Sequence, residues 1–197
     1  MLRPLLDLFF PPTCMHCSQL SSLPYLCHDC WLESQLLPIE GRCTHCFEEI
    51  EEPVGLCSRC RHAPLLPFPR AALFSRDSPI CRLIIREEST KPLAGYAYYQ
   101  WLRLHWKQPT LIASIPPHKK KIAQEFANLI QVPSPHLFRV VPWPLHPRRW
   151  EIKELLIEDD TTLLLIDEGC TLEELQMASR ALSEAFPKNV YVLSLTL

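Results

Sequence analysis

Glycine is scarce in this chain: 4 of 197 residues, with only Gly95 and Gly169 beyond residue 62. Glycine supplies the positive φ and close backbone approach that phosphate-cradling loops use, so a generous glycine-rich anion loop is excluded. Long hydrophobic runs are missing too. The apolar opening, residues 1–12, is too short to span a bilayer and is broken by Asp7. It has no small-residue cleavage site and runs directly into Cys14, so it reads as a short packed helix and not as a signal peptide. No membrane insertion is expected, and a cytoplasmic protein is.

A net excess of one charge is also absent, the formal total being −2. The distribution is uneven, however. Residues 1–62 hold four basic and eight acidic side chains. Residues 103–150 hold eight basic side chains against Glu125 alone, and residues 151–197 hold ten acidic ones against Lys153, Arg180 and Lys188. Two complementary solvated faces are the expected reading, with anion binding by the basic middle as the alternative. The apolar fraction of 47% is that of a globular protein, and the length allows one small module plus one core-forming domain.

Cysteine is plentiful. Eight of ten form four C-x2-C pairs: Cys14/Cys17, Cys27/Cys30, Cys43/Cys46 and Cys57/Cys60, separated by nine, twelve and ten residues. Such a turn aims two sulfurs at one point, and two turns complete a tetrahedral four-thiolate site. Two structural Zn2+ ions are therefore expected, with no position left open for catalysis. A disulfide framework would need an oxidising compartment, and a redox C-x-x-C would occur once, beside a βαβ unit. Sequential pairing (14/17 with 27/30, 43/46 with 57/60) is expected, interleaved pairing being the alternative. His16, His28 and His45 are expected on exposed loops, and Cys81 in the core. The module is acidic, which argues against phosphate binding by it. It contains few large apolar residues, so removal of zinc is expected to unfold residues 14–60 without melting the rest.

Pro64, Pro67 and Pro69 mark a linker. The expected organisation is a zinc-ribbon module at 1–62, a Pro-rich linker at 63–70 and an α/β domain at 71–197. Strands are expected at 71–74, 110–115, 138–141, 162–166 and 190–195, and helices at 79–86, 92–106, 119–130 and 172–186. The run Thr162–Ile166 is continuously apolar, as buried parallel strands are. With Leu172, Leu175, Leu182 and Phe186 on one helical face and the strand that follows, it makes a βαβ unit, hence a Rossmann-like parallel sheet covered on both faces.

Ligands in such sheets bind at the carboxyl ends of strands, which makes Asp167-Glu168-Gly169-Cys170-Thr171 the candidate site. Asp167 and Glu168 would grip sugar hydroxyls or a divalent ion, and Gly169 and Thr171 would face phosphate at a helix N-terminus. In the competing reading both carboxylates face water, and Thr171 caps the helix in a capping box with Glu174; the spacing favours this slightly.

The order of features resembles the ComF family of competence-associated proteins over essentially the whole chain. It consists of two four-cysteine sets, a Pro-containing linker, and strand–acidic pair–G-x-T–helix. Phe9-Phe10-Pro11, Ser78-Pro-Ile-Cys81 ahead of Lys91, and Ile115-Pro-Pro-His118 support it. The resemblance implies a type I phosphoribosyltransferase-like second domain binding phosphoribosyl pyrophosphate (PRPP) with Mg2+. Asp167 and Glu168 would then hold the ribose, Gly169 and Thr171 the phosphate, and Lys119, Lys120 and Lys121 the pyrophosphate. Two departures stand out. The family loop reads roughly D-D-x-x-T-T-G-x-T, and four residues of it, both threonines included, are missing here; the R-G-F-N-Q segment is missing as well. A shortened loop loses several phosphate donors together.

Three functions follow. In the first, the resemblance implies a catalytically impaired ComF-like protein, expected to act in DNA uptake or single-stranded DNA handling through competence proteins. Alternatively it is an active phosphoribosyltransferase using PRPP and Mg2+. As a third reading it binds nucleic acid directly, with Trp101, Trp106, Trp143 and Trp150 stacking on bases beside Arg148 and Arg149. The lost donors favour the first, and Trp101 and Trp106 are expected in the core, Trp143 and Trp150 exposed.

Overall fold

The computed structural model describes residues 12–22, 25–81, 90–115, 121–140, 150–153, 157–158, 160–185 and 187–197. The helix expected at the N-terminus, most of that expected over 79–86, residues 116–120 with Lys119 and Lys120, and Trp143, Arg148 and Arg149 lie outside the described residues.

The cysteine-rich part contributes α1 (His28–Glu33), the two-residue parallel strands β1 (Arg42–Cys43) and β2 (Val54–Gly55), and α2 (Ser58–His62). There follow β3 (Arg70–Phe74), α3 (Thr90–Arg103), β4 (Leu111–Ser114), α4 (Lys121–Ile130), and the antiparallel pair β5 (Phe138–Val140) and β6 (Trp150–Ile152). Next come β7 (Thr162–Asp167), α5 (Leu172–Ala185) and β8 (Asn189–Thr196). Four strands form one wholly parallel sheet in the order β3-β8-β7-β4, so the chain is α/β as expected.

All six residues of β7 are buried, which a central strand covered on both faces requires. The pleat sorts its neighbours. Ile112, Leu164, Ile166 and Leu193 pack with Leu93, Ala97 and Phe126 of α3 and α4. Ala113, Leu163, Leu165 and Val192 pack with Leu175 and Leu182 of α5 and with Phe138 and Trp150 of the β5–β6 hairpin. Leu172 departs from the expected apolar stripe. It is 44% exposed, at the first position of α5.

Strand β6 was not expected, three residues being too few to show a period. It corrects the reading of Trp150 as an exposed base-stacking residue. The side chain is 6% exposed and lies 5.8 Å from the Phe138 ring, beneath α5. Trp101 packs with Tyr98 and Phe126, and Trp106 stacks on Tyr191 at 4.8 Å, so both serve packing. Cys81 is half-buried and not core, its sulfur against the Ser75 carbonyl at 3.3 Å.

The cysteine module shares a core with the sheet. Cys14, Leu26, Cys27, Cys30 and Phe47 belong to the same buried cluster as Phe74, Leu93 and Phe126. Backbone hydrogen bonds cross the junction from Leu37 N–H to Leu73 O (2.7 Å) and from Arg70 N–H to His45 O (2.6 Å). The fully buried Gln100 of α3 donates from Nε2 to Leu37 O (3.1 Å) and Ala72 O (3.2 Å). A polar side chain in an apolar cluster is tolerated only when satisfied in this way, and here the satisfaction pins module, helix and strand together. His45 joins them. Expected on an exposed loop, it is half-buried with Nε2 2.7 Å from Leu66 O, while His16 and His28 are exposed. The physical basis for independent melting of residues 14–60 therefore disappears, because stripping the module uncovers the sheet's own core.

Candidate functional site

The eight paired cysteines gather into two groups, Cys14/Cys17/Cys27/Cys30 and Cys43/Cys46/Cys57/Cys60, each with all sulfurs within 4.8 Å. The pairing is sequential. Four thiolates about 2.3 Å from one zinc ion set neighbouring sulfurs about 3.8 Å apart. The separations Cys17–Cys27 (3.7 Å) and Cys46–Cys57 (3.6 Å) match that tetrahedral edge, so the residues fit zinc.

Each centre joins two different turns. The first pair sits on a knuckle closed by Ser18 N–H to Cys14 O (2.9 Å) or Phe47 N–H to Cys43 O (3.0 Å), and these closing residues have φ of 62° and 66°. The second pair opens a short helix, with Cys27 and Cys57 as N-caps and Cys30 and Cys60 in the first turn. The sequence repeats accordingly as Cys-x-His-Cys and then Leu-Cys-x-x-Cys, a duplication the spacing argument passed over.

The backbone prepares one thiolate per centre. Burial pushes the Cys14 thiol up, but the N–H groups of Cys17, Cys27 and His16 outweigh it and bring the pKa down to about 6. Cys43 is likewise pushed up by burial and brought to about 6 by Cys46, Cys57 and His45. Burial and the neighbouring thiols hold Cys30 and Cys60 above the ordinary thiol range, and burial raises Cys46 to about 11. Four thiols in this state ionise together only against a cation, and with every position filled by sulfur a metal held there would be structural. Because zinc must displace protons from the raised thiols, affinity is expected to climb between pH 6 and pH 8. Competition titration with a chromophoric chelator measures this, together with two ions per chain. Full chelation should abolish one single unfolding transition seen by circular dichroism; a surviving α/β transition would contradict the shared core.

The second candidate is the turn from β7 into α5. Asp167 is 2% exposed, and its carboxylate is consumed within the fold. Oδ1 accepts from Gly169 N–H (2.9 Å) and Cys170 N–H (2.7 Å). Oδ2 accepts from Ser194 Oγ (2.6 Å) and faces Arg70 Nη2 at 3.6 Å. Arg70 in turn donates from Nε to Ser194 Oγ (2.8 Å) and from Nη2 to Thr196 O (3.3 Å). Asp167 thus faces neither water nor a ligand, unlike both readings from sequence; it ties the loop to β3 and β8. Glu168 is half-buried, and Gly169 is exposed with φ +120°, a conformation L side chains rarely adopt.

Thr171 caps α5 as the competing reading held. Its N–H and Oγ1 meet Glu174 Oε2 at 2.8 and 3.1 Å, and Glu174 N–H returns to Thr171 Oγ1 at 3.3 Å. The N–H groups of residues 169, 170, 171 and 174 are therefore all satisfied by side chains of the loop and helix. Burial, and then Asp167, holds the Cys170 thiol above its ordinary range, which disfavours the reactive thiolate. Lys121 does not join the loop. It lines a cavity of about 310 Å3 with Ser114, Gln124, Glu125 and His136, none of residues 167–171 being in its wall.

No protein-family model matches the chain, and no curated protein matches it. Among solved structures it is similar to a glutamine phosphoribosylpyrophosphate amidotransferase from B. subtilis complexed with ADP and GMP. Identity is 12%, coverage 54% of this chain and 26% of that one, and the TM-score 0.41. It is also similar to a structure described as the allosteric regulatory enzyme of purine biosynthesis, at 12% identity, 54% and 25% coverage, and TM-score 0.38. The chain spans about a quarter of the length of each. Overlaps of this degree carry no argument about activity. Among the described residues, no helix is long and apolar enough to cross a membrane.

Asp167→Ala would strand a partly buried guanidinium, a hydroxyl and two N–H groups, and is expected to cost about 3 kcal/mol. Asp167→Asn keeps an acceptor and should cost less; urea denaturation midpoints compare the two.

Proposed function

We propose that this is a ComF-like protein with a phosphoribosyltransferase-type domain whose PRPP site is impaired. It acts in DNA uptake or single-stranded DNA handling through contacts with other proteins. The supporting observation is the filling of the β7–α5 turn by its own carboxylates. Phosphate cradles work by presenting unpaired N–H and hydroxyl groups to an anion. Here Asp167 Oδ1 takes two such N–H groups, and Glu174 Oε2 takes a third with the Thr171 hydroxyl. An incoming phosphate would have to displace two like charges, one of them buried and paired with Arg70. The missing loop residues support the same reading, since they are the ones that would supply replacement donors. Lys121, on a separate cavity, offers no compensation at the turn.

Calorimetric titration of the zinc-loaded chain with PRPP and Mg2+ is expected to show no saturable heat at millimolar ligand. Saturable binding abolished by Thr171→Val would overturn the impairment and revive an active transferase.

A further inference from the structure

The two cysteine centres have the same ligands and different surroundings. In the first, Cys14, Cys27 and Cys30 are buried and Cys17 is exposed. In the second no cysteine is exposed: Cys43 and Cys60 are buried, Cys46 and Cys57 half-buried. The centres also differ in what they hold shut. Cys14, Cys27 and Cys30 belong to the buried cluster that contains Phe74, Leu93 and Phe126, whereas no cysteine of the second centre does.

Cysteine oxidation follows thiolate character and access, and it becomes a reversible switch where a second thiol stands ready to resolve the first product. Cys17 combines these conditions. A metal ligand is a thiolate, the residue is exposed, and its sulfur lies 3.7 Å from that of Cys27. The two belong to different turns, Cys17 to the knuckle and Cys27 to the N-cap of α1. A disulfide would bring their sulfurs to about 2.0 Å, far inside the tetrahedral edge of about 3.8 Å, so it cannot form while both still hold the metal. Two thiolates would remain, and these are too few for a structural site.

We propose that the first centre is a redox lock on the fold, opened by a hydroperoxide at Cys17. The Cys17 thiolate attacks the peroxide and breaks its O–O bond, which leaves Cys17 as a sulfenic acid. The alkoxide or hydroxide released takes a proton from water. The Cys27 thiolate then displaces hydroxide from the Cys17 sulfur, and the disulfide forms. Two thiolates give up two electrons to one peroxide, and two protons from solvent complete the water and the alcohol, or the two waters. Because Cys14, Cys27 and Cys30 are core residues, opening this centre uncovers the sheet. A dithiol returns the two electrons, and Zn2+ can then reseat the module.

The zinc-loaded full chain is treated with substoichiometric hydrogen peroxide. Released zinc is followed with a chromophoric chelator, and disulfides are mapped by peptide mass spectrometry after alkylation. The first disulfide is expected to be Cys17–Cys27, formed about tenfold faster than any in the second centre. Released zinc should match it one for one. Far-UV circular dichroism should fall in step and return on adding a dithiol and Zn2+. Cys17→His keeps a zinc ligand and removes the reactive sulfur, so it should slow the release about tenfold. A first disulfide in the second centre, or one that omits Cys17 or Cys27, overturns the proposal. So does unchanged peroxide sensitivity in Cys17→His, or a Cys17–Cys27 disulfide that leaves the dichroism intact. The wild-type disulfide map decides by itself if the histidine variant fails to bind zinc. None of these outcomes depends on whether PRPP binds.

Discussion

The buried contact between Asp167 and Arg70 is the constraint on which the rest depends. A buried carboxylate and a partly buried guanidinium need their remaining donors and acceptors met, and the fold supplies them from two segments, strand β8 and the β7–α5 turn. Ser194 on β8 bridges the pair, Gly169 and Cys170 close the turn onto Asp167, and Thr196 O receives Arg70. The backbone of Arg70 is anchored in turn to His45, inside the knuckle of the second cysteine centre. A residue that a sugar-binding site would hold toward solvent is here an internal cross-tie between sheet, turn and module.

The two halves of the chain are interdependent for a related reason. A four-stranded parallel sheet needs cover on both faces, and α3 and α4 share one face with Leu26, Phe47 and the cysteines themselves. Cys14, Cys27 and Cys30, three of the four cysteines that could hold the first metal, are thus also core residues. Gln100 and His45 then fix the angle of docking through hydrogen bonds that no freely tethered module would require. Between them they leave a small cavity at Arg42 and Trp106, which exists only because the module is seated.

Much of this was legible in the sequence. The four C-x2-C pairs announced two centres, because thiolate geometry is local and strict, while leaving interleaved pairing open beside the sequential one. Thr162–Ile166 and the helix after it announced a buried parallel strand, since continuous apolarity has few other outcomes in so short a run. The capping box was readable from Thr171 and Glu174 alone. What was not legible depended on contacts far apart in the chain. The partners of Asp167 are Arg70 and Ser194, and no local pattern reveals that its carboxylate turns inward. Trp150 looked exposed because it follows a Pro-rich stretch beside Arg148, yet a three-residue strand carries it beneath α5. The module's scarcity of large apolar residues suggested independence, whereas it meant that the module borrows the sheet's core.

The central claim is that the turn's donors are already satisfied from within, and amide hydrogen exchange tests it most directly. The account predicts that the amides of Gly169, Cys170 and Thr171 are protected in the zinc-loaded chain and unmoved by PRPP with Mg2+. Unprotected amides at these three positions that become protected on adding PRPP would contradict it.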